Sequence, residues 1–434
     1  MGHEPNIHIV GLGVSSRKDE VQPFSESALR ALTSARFIIG SQRQLEILNH
    51  YGVKGCIDAN KINAIEKKVL PKLALLKELI ITCGHHEIVV LASGDPLFYG
   101  IGRWFSKNFP RDSIHYYTAV SSVQAACHAV GLSLQDVSVC SLHGRPVESL
   151  RSQFKRKRTL AILSDQHSQP LRLAEECKDA GFGLSKIWVC ENMGSAQQQV
   201  RCFTVSDLLG NKNHQFDPLH ITIIALEGEG GVQVEFPGIA DERYSTGEQP
   251  GKGMITKREV RLAILSQLQP SNADIIWDIG AGCGGLAVEL SYWNKQVQVY
   301  AIEHNAVRRQ HLEINQRQFG VVSNLHIIAG RAPNALAGLP LPNKIFIGGS
   351  DGELASILKE SWRILPPNGI CVASAVTKKS RAILEAFIAN TNANSIEAVT
   401  IGVEKSSLQE GEWVPQVRQP VSVFKFKKEA SACE

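Results

Sequence analysis

The stretch DIIWDIGAGCGGLAVEL (residues 274–290) concentrates residue types that could do chemistry. An apolar run ends at Asp278, and Gly280, Gly282, Gly284 and Gly285 follow before a helical pattern begins. Glycines here let the chain turn tightly and approach a ligand without a Cβ in the way. A dinucleotide fingerprint wants G-x-G-x-x-G, whereas this order is G-A-G-C-G-G with an acid two residues before it. Such an acid suits a ligand with a cationic amino-acid end better than a pyrophosphate. No Lys-Ser/Thr pair follows, which excludes a P-loop. The next apolar run ends in Glu303, a carboxylate able to accept from both hydroxyls of a ribose. The third ends in AGRAPNAL (329–336), backbone able to line an adenine. Together they read as a site for S-adenosylmethionine (SAM), with a nicotinamide site or a glycine-rich turn without ligand as alternatives.

A second stretch, LASGDPLFYGIG (91–102), ends a strand in Gly94-Asp95-Pro96. It offers bare backbone rather than a nucleophile or a metal ligand. The ten cysteines show no C-x-x-C spacing and the 14 histidines, including His85-His86, form no H-E-x-x-H, so no protein-held metal is expected. Most cysteines sit in apolar runs, where a thiol packs as a small hydrophobe.

The elements that must carry these residues form two α/β series. In the first half, strand-like runs fall at 7–13, 36–41, 87–93, 113–120, 137–144, 159–165, 186–192 and 220–226. Helices are expected over 25–35 and 171–182, the second closing on Gly181 and Gly183. Residues 227–253, with seven glycines and two prolines in 27 residues, read as a linker. Strands then recur at 274–280, 297–303, 325–330, 344–349 and 369–376. Residues 395–405 and 419–428 alternate without a helix between them, as an antiparallel pair at a sheet edge does. The expected domains are 1–228 and 254–434, joined by 229–253.

At 434 residues, two or three domains are the prior. The net charge of +4 splits evenly, residues 1–240 carrying 25 Lys and Arg against 23 Asp and Glu. That balance is too weak to argue for nucleic acid; the basic run RSQFKRKR (151–158) reads as a solvated surface or an anion-facing rim. No apolar run reaches about 18 residues, and the start MGHEPNIHIVGLG has no signal-peptide pattern and only a loose myristoylation match. A cytoplasmic protein without membrane or nucleic-acid partners is expected.

MITKREVRLAILSQL (254–268), WDIGAGCGG, AIEHN, GRAPNAL and KIFIGGS resemble the class I SAM-dependent precorrin methyltransferases of cobalamin synthesis. VGLG (10–13), SGDPLFYG (93–100), AVSSVQAA (119–126) and VCENMG (189–194) resemble the tetrapyrrole methylases, which have a different, two-lobed fold. Where that family continues Pro-Gly-Asp after its first glycines, this chain has Val14-Ser15-Ser16-Arg17. The resemblance implies a two-lobed methylase fold followed by a Rossmann-like doubly wound sheet with an antiparallel edge hairpin. It implies methylation of carbon 5 of a precorrin-6 ring by the first domain. The second would methylate carbon 15 and remove carbon dioxide from the acetate at carbon 12.

One SAM per domain is implied. In the first, Gly94, Asp95, Phe98, Ser121, Ser122, Leu163 and Met193 would line it, with a turn cap as the lesser reading of Asp95. In the second the cofactor would touch Thr256, Gly280, Ala281, Gly282, Cys283, Gly284, Glu303 and Ala332. The polycarboxylate tetrapyrrole, cobalt-free or cobalt-containing, calls for arginine forks; Arg145, Lys257, Arg258 and Arg331 are the candidates, with a solvated helix start the other reading of Lys257 and Arg258. No catalytic residue is assigned: His143 is a proton shuttle or a structural histidine, Glu259 an acid/base or a first-turn helix acid. Relatives of either half commonly self-associate, so a homo-oligomer is expected. The alternative functions are an RNA methyltransferase fused to a regulatory α/β domain, a non-enzymatic SAM-sensing protein and an NAD-dependent oxidoreductase.

Overall fold

The computed structural model describes residues 5–54, 57–84, 86–230, 234–249 and 253–429. Cys56, His85 and Cys433, with the chain's first residues and part of the expected linker, lie outside them. The chain divides into two compact units: residues 1–144 with 156–230, and residues 145–155 with 231–434.

The first unit holds two sheets. β1 (Asn6–Leu12), β2 (Phe37–Gly40), β3 (Glu66–Val69), β4 (Glu87–Ser93) and β5 (Ile114–Tyr117) form a parallel sheet in the order β3-β2-β4-β1-β5. β1 and β4 lie inside it and are almost wholly apolar and buried, as a strand covered on both faces requires. β6 (Val137–Ser141), β7 (Thr159–Leu163), β8 (Lys186–Glu191), β9 (Gln199–Thr204) and β10 (His220–Ala225) form a mixed sheet, order β6-β7-β10-β8-β9. Sequence pattern misses β3 (EKKV) and β9 (QVRCFT), both edge strands with little apolar signal. The helix expected over 171–182 spans Pro170–Asp179; Gly181, at φ +82, follows its C-cap, and Gly183 takes no part in the cap.

The second unit is a doubly wound sheet of β11 (Ile275–Ile279), β12 (Gln298–Glu303), β13 (Leu325–Ala329), β14 (Lys344–Ile347), β15 (Ile370–Ala375), β16 (Ala393–Ile401) and β19 (Val421–Lys428). The order is β13-β12-β11-β14-β15-β19-β16, parallel up to β15, with β19 and β16 antiparallel at the edge as expected. Between β16 and β19 an unexpected exposed hairpin, β17 (Glu404–Gln409) and β18 (Glu412–Val417), turns at Glu410-Gly411, both at positive φ. That two-residue loop is the kind that matches strand twist.

Two segments depart from the expected division. Residues 145–155 go with the second unit: Leu150 and Phe154 are buried, and Ser152 meets the carbonyl of Gly320. The expected linker is a docked strap over residues 234–244. The Gly238 and Ile239 amides donate to Glu289 at 3.0 and 3.1 Å, and the Tyr292 hydroxyl donates to the Val234 carbonyl at 2.7 Å. Arg261, fully buried, bonds Asp241 (2.6 Å) and Glu289 (2.9 Å), donates to the carbonyls of Ile239 and Thr256, and lies over the Tyr244 ring. Glycine and proline content marks a non-helical segment; it does not say whether that segment is solvated.

Candidate functional site

In the second unit the cleft is built at the carboxyl ends of β11, β12, β13 and β14. Gly280 leaves β11 at φ +76, and a Cβ there would sit 2.4 Å from the Gly349 carbonyl oxygen, so only glycine lets this turn pass the chain leaving β14. The Gly282 amide donates to Glu303 Oε2 at 2.9 Å and the Asn305 amide to Oε1 at 2.8 Å. These bonds hold the buried carboxylate still while leaving a lone pair on each oxygen. Thr256, Gly280, Ala281, Gly282, Glu303 and Ala332 line one cavity of about 350 Å³, as do Lys257 and Arg331.

Cys283, Gly284 and Arg258 are not on that lining. Cys283 is buried, its amide turned to the Met254 carbonyl, and Gly284 packs on Leu312, so both shape the turn from behind. Arg258 faces Glu259 at 3.5 Å. Glu259 also pairs with Lys405 at 3.0 Å. Burial pushes its carboxyl up, but its own backbone amide and Lys405 outweigh that and hold it below the usual range, as befits a first-turn helix acid.

Asp278 is wholly buried behind the glycine turn. It accepts from the Ala287 amide in the first turn of the helix Gly285–Trp293, whose own N-cap, Gly284, has no side chain to offer. Its Oδ2 has no hydrogen-bond partner. Burial, with the charge of Glu303 adding to it, pushes the Asp278 carboxyl up to about 7. The lining also holds residues that the sequence reading passed over: Arg308 and His304, whose ring lies 3.3 Å from Glu303 Oε1 and 3.1 Å from Asp351 Oδ2. His304 follows Glu303 directly, so the strand end that marks one marks the other.

In the first unit the ledge is a crossing of bare backbones. The Gly94 amide donates to the Leu12 carbonyl at 2.8 Å, and a Cβ on Gly11 would stand 2.5 Å from the Gly94 carbonyl oxygen. Gly94 itself, at φ +67, abuts Ser121. Asp95 Oδ1 accepts from the amides of Leu97 (2.8 Å) and Phe98 (3.0 Å), so the turn-cap reading holds, and Asp95 also lines a cavity of about 610 Å³ with Phe98. Met193 lines a second cavity of about 490 Å³, and Gly13 borders both. Phe98, Leu163 and Met193 pack on one apolar cluster. Ser121 is committed to a capping box with Gln124 at the head of the helix Ser122–Ala129. His143 and Arg145 lie exposed after β6, on none of these linings.

The run 151–158 is solvated only in part. Arg151 donates to the Arg317 carbonyl, Lys155 stands over Trp293 and Arg158 donates to Ser138. Arg156 and Lys157, between them, are exposed.

Fold and cleft thus define a SAM-dependent methyltransferase class. Residues 6–209 match the tetrapyrrole (corrin/porphyrin) methylases and 250–418 the precorrin methyltransferase domain. The chain belongs to the precorrin-6Y C(5,15)-methyltransferase (decarboxylating) family. It is 31% identical over 380 residues to the Sinorhizobium sp. member, covering 88% of this chain and 87% of that one. A cobalt-precorrin-7 C(5)-methyltransferase of Salmonella typhimurium is 28% identical over 46% of this chain and 91% of its own length. A Pyrobaculum calidifontis protein named "Probable cobalt-precorrin-6B C(15)-methyltransferase (decarboxylating)" is 35% identical over 35% and 76%.

Proposed function

We propose that each unit binds its own SAM and acts on a precorrin-type tetrapyrrole, the first methylating carbon 5, the second methylating carbon 15 and decarboxylating the acetate at carbon 12. The order of the two transfers is left open. One observation carries it: residues expected from three successive strand ends to touch the donor line a single cavity in the second unit. The donor supplies an already activated methyl, so the protein's task is alignment, worth much of the rate.

The residues fit that task. The Gly280–Gly282 cradle leaves no room for side chains, and Glu303 is pre-oriented by two amides. Lys257, Arg308 and Arg331 place positive charge on the lining for the ring's carboxylates. In the first unit the Gly11–Gly94 crossing keeps side chains off the ledge beside Asp95 and Phe98.

Calorimetric titration of the full chain with S-adenosylhomocysteine is expected to show two sites, and Glu303→Ala to abolish only the second unit's. Mass spectrometry with precorrin-6B should show two added methyls and one lost carbon dioxide, with the carbon 15 methyl and the carbon dioxide loss both abolished in Glu303→Ala. A single site in the unaltered chain, or a variant that still decarboxylates, defeats the two-site reading. The remaining expectations stand as proposals: a homo-oligomer in the cytoplasm, acting without nucleic acid or membrane partners. Among the described residues no helix is long and apolar enough to cross a membrane.

A further inference from the structure

The second cavity of the first unit, about 490 Å³, is walled by the loop 12–21, by 192–197 and by one side of the helix Gln42–Val53. Its acids are already engaged. Asp19 is held by Lys54 at 2.9 Å and faces His50 at 3.8 Å; Glu20 receives the Ser15 hydroxyl at 2.6 Å; Glu46 receives Gln42 at 3.2 Å. Arg43 is the exception. It lines the cavity, yet no ion pair within 4.0 Å is formed by it among the described residues.

Two costs meet at Arg43. It stands in the first turn of a helix, where the macrodipole disfavours a cation. Burial lowers its pKa, with the charge of Asp217 only partly opposing this. Asp217 is itself engaged, by Asn192 and by the Leu219 amide. The backbone of Arg43 is anchored by its neighbours. Ser41 and Gln44 close a capping box around it, and the Gln44 amide group reaches Ser93 at 3.0 Å, the last residue before the Gly94 ledge. A guanidinium on a cavity wall, set against a dipole and without an ion pair of its own, gains from an arriving carboxylate, which its fork can hold bidentately.

We infer that this cavity is an acceptor subsite of the first unit and that Arg43 anchors a carboxylate side chain of the tetrapyrrole there. The inference rests on the proposed carbon 5 activity of this unit. Gly13, the residue bordering both cavities, then marks where the donor side meets the acceptor side.

The test is steady-state carbon 5 methylation by the full chain carrying Arg43→Ala or Arg43→Lys, with S-adenosylhomocysteine titration alongside. A lost charged hydrogen bond predicts a KM for the tetrapyrrole raised about ten-fold or more in Arg43→Ala with kcat largely kept. Arg43→Lys should fall between, because it keeps the charge and loses the fork. Donor stoichiometry and carbon 15 decarboxylation should not move, which also reports that the variant is folded. An unchanged KM overturns the inference, as does loss of donor binding in the first unit. Should Arg43→Ala not fold, an unchanged KM in Arg43→Lys overturns it equally. An unaltered chain that adds no methyl at carbon 5 overturns the reading of the unit, and the inference with it.

Discussion

Asp278→Asn isolates the cost of a carboxyl buried behind the glycine turn. The wild-type carboxyl is pushed from 3.8 up to about 7, first by burial and then by Glu303, against the opposing Ala287 amide. Because the folded value lies above the unfolded one, the advantage is complete below about pH 4. It is lost as pH rises toward 7. The gap of about three pH units corresponds to about 4 kcal/mol once the group is ionised in both states. Between pH 5 and pH 8 the second unit should lose about 2.5 kcal/mol through this one group. The asparagine keeps an acceptor for the Ala287 amide and carries no charge, so its stability should lack that slope. The assay is urea unfolding of both proteins across this range, followed by emission of the tryptophans, of which Trp277 is wholly buried beside Asp278. If wild type and variant keep a constant difference from pH 5 to pH 8, Asp278 is ionised throughout and the burial argument fails.

Two further outcomes follow from the packing. Arg261→Met should cost the second unit about 3–5 kcal/mol in urea unfolding, since Asp241 and Glu289 are left buried without their cation; a loss below about 1 kcal/mol would mean that neither carboxylate depends on it. Gly280→Ala adds a left-handed side chain, about 1–2 kcal/mol, to a backbone clash at 2.4 Å, so S-adenosylhomocysteine titration should lose the second unit's site and keep the first's.

What the sequence made legible was whatever a buried strand and its turn dictate. β11 to β14 are apolar because both faces are covered, and Gly280, Gly282 and Glu303 stand at their ends because the chain must turn there and little else fits. Edge strands carry no such constraint, which is why EKKV and QVRCFT passed as loop. The same asymmetry runs through the site. Glu303 and the glycines could be placed by spacing; Arg43 and Arg308 could not, since a cation on a helix reads as solvated until its partners are known to be missing. Asp278 shows the reverse limit. Its position beside the turn was plain, but its burial, and hence its proton, depends on how the helix Gly285–Trp293 closes over it.

Residues 234–244 could have been a solvated tether, yet they are fastened by a fully buried arginine and two buried acids, an arrangement that apolar side chains could match for stability. What apolar packing would not give is register. Arg261 also bonds the Thr256 carbonyl, and the neighbouring Met254 carbonyl accepts from the Cys283 amide, so the strap and the chain that closes the cleft are set by one side chain. Met254 oxygen lies 2.7 Å from where a Gly282 Cβ would be, leaving that segment no freedom to slide. Directional bonds at Arg261 therefore fix the cleft wall against the glycine turn before any ligand arrives, which is the preorganisation that a reaction run by alignment requires.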